Sequence, residues 1–281
     1  MLNKNIKSPV NIPVSKIHPF EGNPYKVLDN DEMNTLICSI QEQGILTPII
    51  IRPIENTDEY EVISGHRRLH ATVKAGMKEV PAFIYAVTRD EAAIMLVDSN
   101  LHREHILPSE KAFAYKLKLE AMKHQGITCG QVGHKSRDKI SDTDSGRQIQ
   151  RYIRLTYLIP ELLDLVDEER IAFTPAVELS YLTDEEQYAL LGSIEVEDRT
   201  PSLSQAVRFK KLSQTGNLSD DDIETIMQED KANQKPMFKV SMEKLQEIAP
   251  RVKDKDFEDF VLKACEHYYR YLLRQRDRDS R

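Results

Sequence analysis

The residues best suited to chemistry fall in three short stretches. In YEVISGHRRLHATVKAG, residues 60–76, a strand-like run breaks at Ser64-Gly65 and restarts as a helical pattern with Arg67 and Arg68 in its first turn. A helix start exposes N–H groups and carries the positive end of the macrodipole, so cations there repel it unless an anion is held as well. In DSNLHREHILPSEKA, residues 98–112, Asn100 and Arg103 lie three apart, which on a helix puts them on one face. Placed beside Arg67 and Arg68, they would complete a phosphate clamp. Arginines on a solvated face are the plain alternative. In the third stretch, DSGRQIQRYIRLTYLIPELLDLV, Ser145 is suited to N-cap a helix. Ile149 and Ile153 face inward four apart, leaving Arg147, Gln148, Gln150, Arg151 and Arg154 for the exposed side. Arg and Gln pair bidentately with guanine and adenine in the major groove, although a solvated helix face uses the same residues.

The elements that must position these residues are of two kinds. TPIIIRPI, YEVIS and VPAFIYAV are short β-branched runs bounded by turn residues and read as strands. Residues 31–43 have helical periodicity and stop at Gly44; residues 66–75 form a helix closed by Gly76; residues 89–104 and 109–124 are two more helices with a start signal at Pro108. Residues 125–145 turn rich in Gly, Ser, Asp and Lys, a loop composition. From Gly146 to about Gly192 the pattern is helical throughout. A last helix spans about 256–275, its apolar stripe serving its own domain or a second copy. The expected class is α+β: a small mixed α/β domain over residues 1–125, an all-α domain over 126–212, an acidic linker over 213–237 and a helical region over 238–281.

Composition narrows the partners. A chain with 40% hydrophobic and 30% charged residues has the balance of a water-soluble globular protein. It contains no run of about 18 apolar residues, and its opening MLNKNIKSPVNIPV lacks a signal-peptide apolar core. A cytoplasmic protein without membrane contact is expected. Cys38, Cys129 and Cys265 lie far apart with no CxxC spacing, which supports neither a disulfide framework nor a zinc ribbon. His66 and His70 have metal-pair spacing, but HRRLH lacks the glutamate of HExxH and inserts two cations. The net charge of −7 argues against nucleic acid until its distribution is read: residues 135–154 hold six Lys or Arg and three Asp, whereas residues 217–230 hold six acids and no base. The arginine-rich ending RYLLRQRDRDSR reads as a solvated tail, with phosphate contact the alternative.

IHPFEGNPY, SIQEQGILTPIIIRP, YEVISGHRRLHATVKAG, VPAFI and SNLHREHILPSEKA follow one another as in the N-terminal domain of the ParB family of partition proteins, which the first 115 or so residues resemble. The segment from Asp144 through LIPELLDLVDEERIAFTPAVELSYL resembles that family's central helix-turn-helix domain. The resemblance implies that Gly65, His66, Arg67 and Arg68 contact the triphosphate of CTP, that Asn100 helps hold its magnesium and that Arg103 supports the site. It also implies that Ser145, Arg147, Gln148, Gln150, Arg151 and Arg154 belong to a recognition helix on double-stranded DNA. A homodimer, a ParA-like partition ATPase as partner and association with a nucleoid or plasmid come with it. Three positions depart from the family: His66 and Ser99 stand where glutamates are usual, and Lys26-Val27 follow NPY in place of Gln-Pro-Arg. Magnesium prefers hard oxygen ligands and hydrolysis needs an oriented water, so no catalytic residue is assigned. Asp98 points about 100° away from Ser99 on a helix. The helix expected before the recognition helix, within SRDKISDTDSG, has about one turn with Ile140 as its main apolar residue. A transcriptional repressor using the same helix-turn-helix and a nucleotide-hydrolysing enzyme are the alternative readings.

Overall fold

The β-branched runs pair into one five-stranded mixed sheet. In the computed structural model, which describes residues 8–103, 105–125, 144–229, 246–249, 252 and 257–279, the strands are β1 (Val10–Pro13), β2 (Ile17–His18), β3 (Ile49–Pro53), β4 (Tyr60–Ser64) and β5 (Glu79–Ile84). Their order is β1-β5-β3-β4-β2. β3 runs antiparallel to β4 and parallel to β5, β1 closes one edge antiparallel to β5, and β2 closes the other parallel to β4.

Successive strand residues face opposite sides, and β4 divides its side chains that way. Val62 enters a cluster with Ile49, Ile51, Val80 and Leu69; Ile63 enters another with Phe20, Leu96 and Val97. Both faces are therefore covered. On one side lie α1 (Asp31–Gln43) and α2 (His66–Lys74), joined through Met33, Ile40 and Ala71. On the other lie α3 (Arg89–Asn100) and α4 (Pro108–His124), contributing Ala92, Leu96, Ala114 and Ala121. Each fully buried Ile or Leu of these clusters stabilises the fold by about 1.5–3 kcal/mol. Local signals set the ends: the Asn30 side chain accepts the Met33 N–H at 3.0 Å, Gly44 stops α1 at φ +71°, and Thr88 with Glu91 forms a capping box on α3.

The remaining helices are α5 (Gly146–Leu155), α6 (Pro160–Asp167), α7 (Phe173–Leu179), α8 (Asp184–Glu197), α9 (Leu203–Gln214) and α10 (Asp220–Gln228). They enclose a core of Leu155, Leu162, Ile171, Leu179, Leu190, Phe209 and Ile223. The buried Gln187 amide ties two turns together. It accepts the Ile159 N–H at 2.8 Å and donates to the Tyr157 and Leu182 carbonyls at 3.0 and 3.1 Å, so none of these groups is left unpaired.

Two expectations about organisation are corrected. Residues up to Glu229 form a single compact unit rather than two domains parted near residue 125. The reason is α4, whose Ala112 joins the helical core while Tyr115 and Met122 pack with Ile149 of α5. Nor is the acidic stretch from residue 213 a plain linker: Asp220, Asp221 and Asp222 form the first turn of α10, where acids suit the helix dipole, and Ile223, Ile226 and Met227 are buried. Helix α3 ends at Asn100 instead of running to 104. The short helix expected within residues 136–146 falls largely outside the described residues, as does most of the proposed linker's second half. The second unit, residues 230–281, contains α11 (Phe257–Asp279), with Phe260, Leu262, Tyr268, Tyr269 and Tyr271 exposed. No helix among the described residues is long and apolar enough to cross a membrane.

The strand-to-helix corner depends on one glycine. Gly65 has φ +104°, and a Cβ there would meet Ile49 Cγ2 at 2.8 Å and the Arg68 guanidinium at 3.1 Å. Gly65→Ala is expected to cost about 2–4 kcal/mol of unfolding free energy, combining a disfavoured backbone with a core clash; an unchanged urea midpoint would contradict this.

Candidate functional site

At the Gly65 corner, adjacent arginines part company. Arg68 turns under the corner, where one guanidinium nitrogen donates to the carbonyls of Thr47 and Pro48, the latter at 2.8 Å. Burial lowers its pKa from the ordinary guanidinium value, a desolvation that the two carbonyls offset. Arg67 points outward and pairs with Glu32 at 3.0 Å. His66 is packed inward, its Nε2 accepting the Phe20 N–H at 3.5 Å. Its pKa is pushed down to about 4, first by burial and then by the Arg103 guanidinium, with Glu61 acting in the opposite sense. The imidazole is therefore neutral near pH 7. Glu61 itself pairs with Arg52 across the sheet at 2.7 Å and accepts the Glu21 N–H at 3.0 Å.

Arg67 lines a cavity of about 740 Å³ together with Arg103, Lys26, His105, Glu110 and Asp167. Arg103 comes from just beyond α3, its N–H bonded to the Asn100 carbonyl at 3.1 Å. Its guanidinium is exposed, sits 5.6 Å from the Tyr25 ring centroid and makes no hydrogen bond or ion pair among the described residues. Lys26 Nζ lies 3.5 Å from Asp164 and 3.7 Å from Asp167. Glu110 accepts the Lys26 N–H at 2.8 Å and the Leu107 N–H at 3.3 Å. The cavity thus brings Arg67 and Arg103 together, but Gly65, His66, Arg68 and Asn100 do not line it, and because α3 ends at Asn100 the shared helical face expected of Asn100 and Arg103 is not formed. Asn100 is buried and donates from Nδ2 to the Leu96 carbonyl at 2.7 Å and to Ser99 Oγ at 3.2 Å. Asp98 bonds Lys118 of α4. Lys26, Glu110 and Asp167 escaped sequence reasoning; the only signal was the position of Lys26 directly after NPY.

In α5, Ser145 caps the helix by accepting the Gln148 N–H at 3.3 Å, and Ile149 is fully buried while Ile153 packs beside it. Arg147 is exposed and Gln150 partly so. Arg151 and Arg154 differ from the exposed placement expected of them. Arg151 donates to Thr174 Oγ1 at 2.9 Å and to Gln148 Oε1 at 3.2 Å, with its guanidinium 4.8 Å from the Phe173 centroid. Arg154 donates to the Ser180 carbonyl at 2.6 Å between the rings of Tyr157 and Tyr181, at 4.5 and 4.0 Å. Both clamp α5 to α7, because the helical pattern places aromatic rings and open carbonyls within their reach.

Comparison with known proteins follows the same geography. Residues 2–101 match the family model of the ParB N-terminal domain. The chain is 32% identical over 202 residues to the chromosome-partitioning protein Spo0J of Thermus thermophilus, covering 72% of this chain and 70% of that one. It is 31% identical over 185 residues to the nucleoid occlusion protein of Listeria monocytogenes, covering 65% and 61% respectively. Among solved structures, the C-terminally truncated chromosome-partitioning protein ParB from Caulobacter crescentus, complexed to the centromeric parS site, aligns with a TM-score of 0.43 at 19% identity, over 78% of this chain and 98% of that one.

Two stability measurements separate clamping from free cations. Arg154→Ala is expected to lose about 1–2 kcal/mol through its ring contacts and carbonyl bond, while Arg147→Ala stays within about 0.5 kcal/mol; equal losses in urea denaturation would contradict the assignment. His66 binds its proton less readily in the fold than in the unfolded chain, so stability is full above about pH 6.5 and falls as pH drops toward 4. About 3 kcal/mol is at stake, and His66→Gln is expected to flatten the urea midpoint in that window relative to the parent chain.

Proposed function

Because the chain belongs to the ParB family, we infer that it is a site-specific DNA-binding partition protein whose cavity takes cytidine triphosphate with magnesium. The observation that carries the nucleotide reading is the convergence of Lys26, Arg67 and Arg103, from three separate segments, on one cavity. Its volume suits a nucleotide-sized ligand, and Arg103 is the cation with no acidic partner among the described residues. A polyphosphate supplies the anion that the arginine-rich helix start calls for. Arg68 serves the site indirectly by holding the Gly65 corner, which presents the first N–H groups of α2. For magnesium, Glu32 and Glu169 place carboxylates in the cavity, whereas Asn100, buried with its Nδ2 engaged, lies outside the cavity lining and would have to turn its Oδ1 toward it to help hold the metal. Magnesium held by such carboxylates would supply positive charge against the phosphates. The Ser99 hydroxyl donates to the Leu96 carbonyl, Asp98 is held by Lys118, and neither lines the cavity, so no residue is assigned to turnover.

On the DNA side, Arg147 and Gln150 are the base-reading candidates of α5, with Ser145 starting the helix and Gln148 steadying Arg151. Arg151 and Arg154 fix the helix on α7. Duplex DNA, a second copy of the chain and a partition ATPase are the partners of this reading, which places the protein on a nucleoid or plasmid in the cytoplasm.

Calorimetric titration of CTP, ATP, GTP and UTP with and without magnesium tests the pocket. Selective CTP binding is expected, with Arg103→Ala weakening it at least tenfold at an unchanged melting temperature, while Arg68→Ala lowers both. Equal affinity for all four nucleotides would sink the cytidine reading. On a duplex chosen by selection from random sequences, Arg147→Ala is expected to cost about 1–3 kcal/mol at the preferred site alone.

A further inference from the structure

The cavity that gathers Lys26, Arg67 and Arg103 also holds a carboxylate delivered by another helix. Asp167 is the last residue of α6, and its side chain is only 8% exposed. Its Oδ1 accepts the Ser109 backbone N–H at 2.9 Å, its Oδ2 accepts the Ser109 hydroxyl at 2.5 Å, and Lys26 Nζ stands 3.7 Å away. Helix α4 receives no side-chain cap from Leu107, so Asp167 satisfies that end from outside the helix. An N–H, a hydroxyl and an ammonium around one anionic oxygen pair are also the donors a phosphate takes. Carboxylate and phosphate cannot use them together. A carboxylate left beside a bound polyphosphate would repel it, strongly so in a partly desolvated cavity.

Resting on the reading of this cavity as a polyphosphate site, we infer that Asp167 is its internal competitor: loading displaces the carboxylate from Ser109 and Lys26, and the strength of that interaction sets the affinity. Glu110 cannot play this part, because it holds two backbone N–H groups of its own neighbourhood. Asp164 is the natural control. It approaches the same Lys26 ammonium at 3.5 Å, yet its side chain is 65% exposed and it is hydrogen-bonded to no donor of α4 among the described residues. The Asp167–Ser109 hydrogen bonds help join α6 to α4, so their rupture on loading also loosens α6.

Asp167→Asn keeps an oxygen for the Ser109 N–H and removes the charge. In calorimetry on the full chain, it is expected to bind sodium tripolyphosphate and CTP about tenfold more tightly than the parent, whereas Asp164→Asn changes either by less than about twofold. In the parent chain, saturating tripolyphosphate is expected to raise amide exchange across α6, a measurement that needs no variant. Unchanged or weaker binding of both anions by Asp167→Asn, or α6 protection unaltered by tripolyphosphate, overturns the competitor. Should tripolyphosphate respond as expected while CTP binds no better than the other nucleotides, the cytidine reading falls and Asp167 keeps its role. Binding of neither anion to either protein overturns both.

Discussion

One helical turn, Pro108 to Lys111, must satisfy acidic groups on three sides, and the rest of the molecule is arranged around it. Ser109 takes Asp167 from α6, Glu110 reaches back to the Lys26 and Leu107 N–H groups, and Lys111 pairs with Asp144 at 2.6 Å. Asp144 directly precedes the cap of α5. Burial works to raise its pKa, but the hydrogen bonds from Lys111 and Tyr115 prevail and hold the carboxyl below its ordinary value. Breaking such a pair on one side strands a desolvated charge, at a cost of about 3–5 kcal/mol where burial is complete. The turn is therefore hard to deform. It ties the cavity, through three consecutive residues, to the start of the helix that carries Arg147, so that a shift at Ser109 would reach Lys111 and Asp144.

Arginine appears in four distinct uses, and its surroundings decide which. Arg52 is buried and meets Glu61, Arg68 is half-buried and meets carbonyls, and Arg154 slides between two tyrosine rings. Each is immobilised by acceptors or ring faces that its own strand or helix brings close, as a planar guanidinium with several donors permits. Arg103 lies past the end of α3, where no acceptor among the described residues engages it. A cation left in that state keeps its binding capacity for a ligand, and it also depresses the neighbouring His66. The neutral His66 imidazole thus adds no charge of its own beside the Gly65 corner.

Features with strong local causes were legible in the sequence. The runs around Ile49–Ile51, Val62–Ile63 and Val80 became the central strands, Gly44 and Gly76 ended helices at positive φ, and Ser145 capped α5. β1 and β2, of four and two residues, are too short for a period-two pattern to show. The acidic look of residues 217–230 concealed α10, because its acids crowd the first turn while its three apolar residues do the packing. At the candidate site, Arg67 and Arg103 line one cavity, but the helical spacing of Asn100 and Arg103 gave the wrong partner, because α3 ends at the buried Asn100. The inward turn of Arg68 was not foreseeable, since it depends on carbonyls at Thr47 and Pro48, some twenty residues away. Asp167 was further from reach still, because only tertiary packing brings α6 to the mouth of the cavity.

The same separation of charge from contact bears on how an acidic chain can approach DNA. Over Gly146–Leu155 there are three arginines and no acid, whereas many acids elsewhere in the compact unit are engaged in caps and ion pairs, as at Glu91, Glu186, Asp222 and Glu110. Stacking on Phe173, Tyr157 and Tyr181 restrains Arg151 and Arg154 but leaves their charge in place. They contribute to a local positive potential, which draws phosphates irrespective of sequence. Base reading requires side chains free to meet donor and acceptor edges, and on α5 that freedom belongs to Arg147 and Gln150. On the DNA-binding reading, attraction and readout would be divided between residues of one short helix, so the net charge of −7 is a poor guide to what its surface can bind.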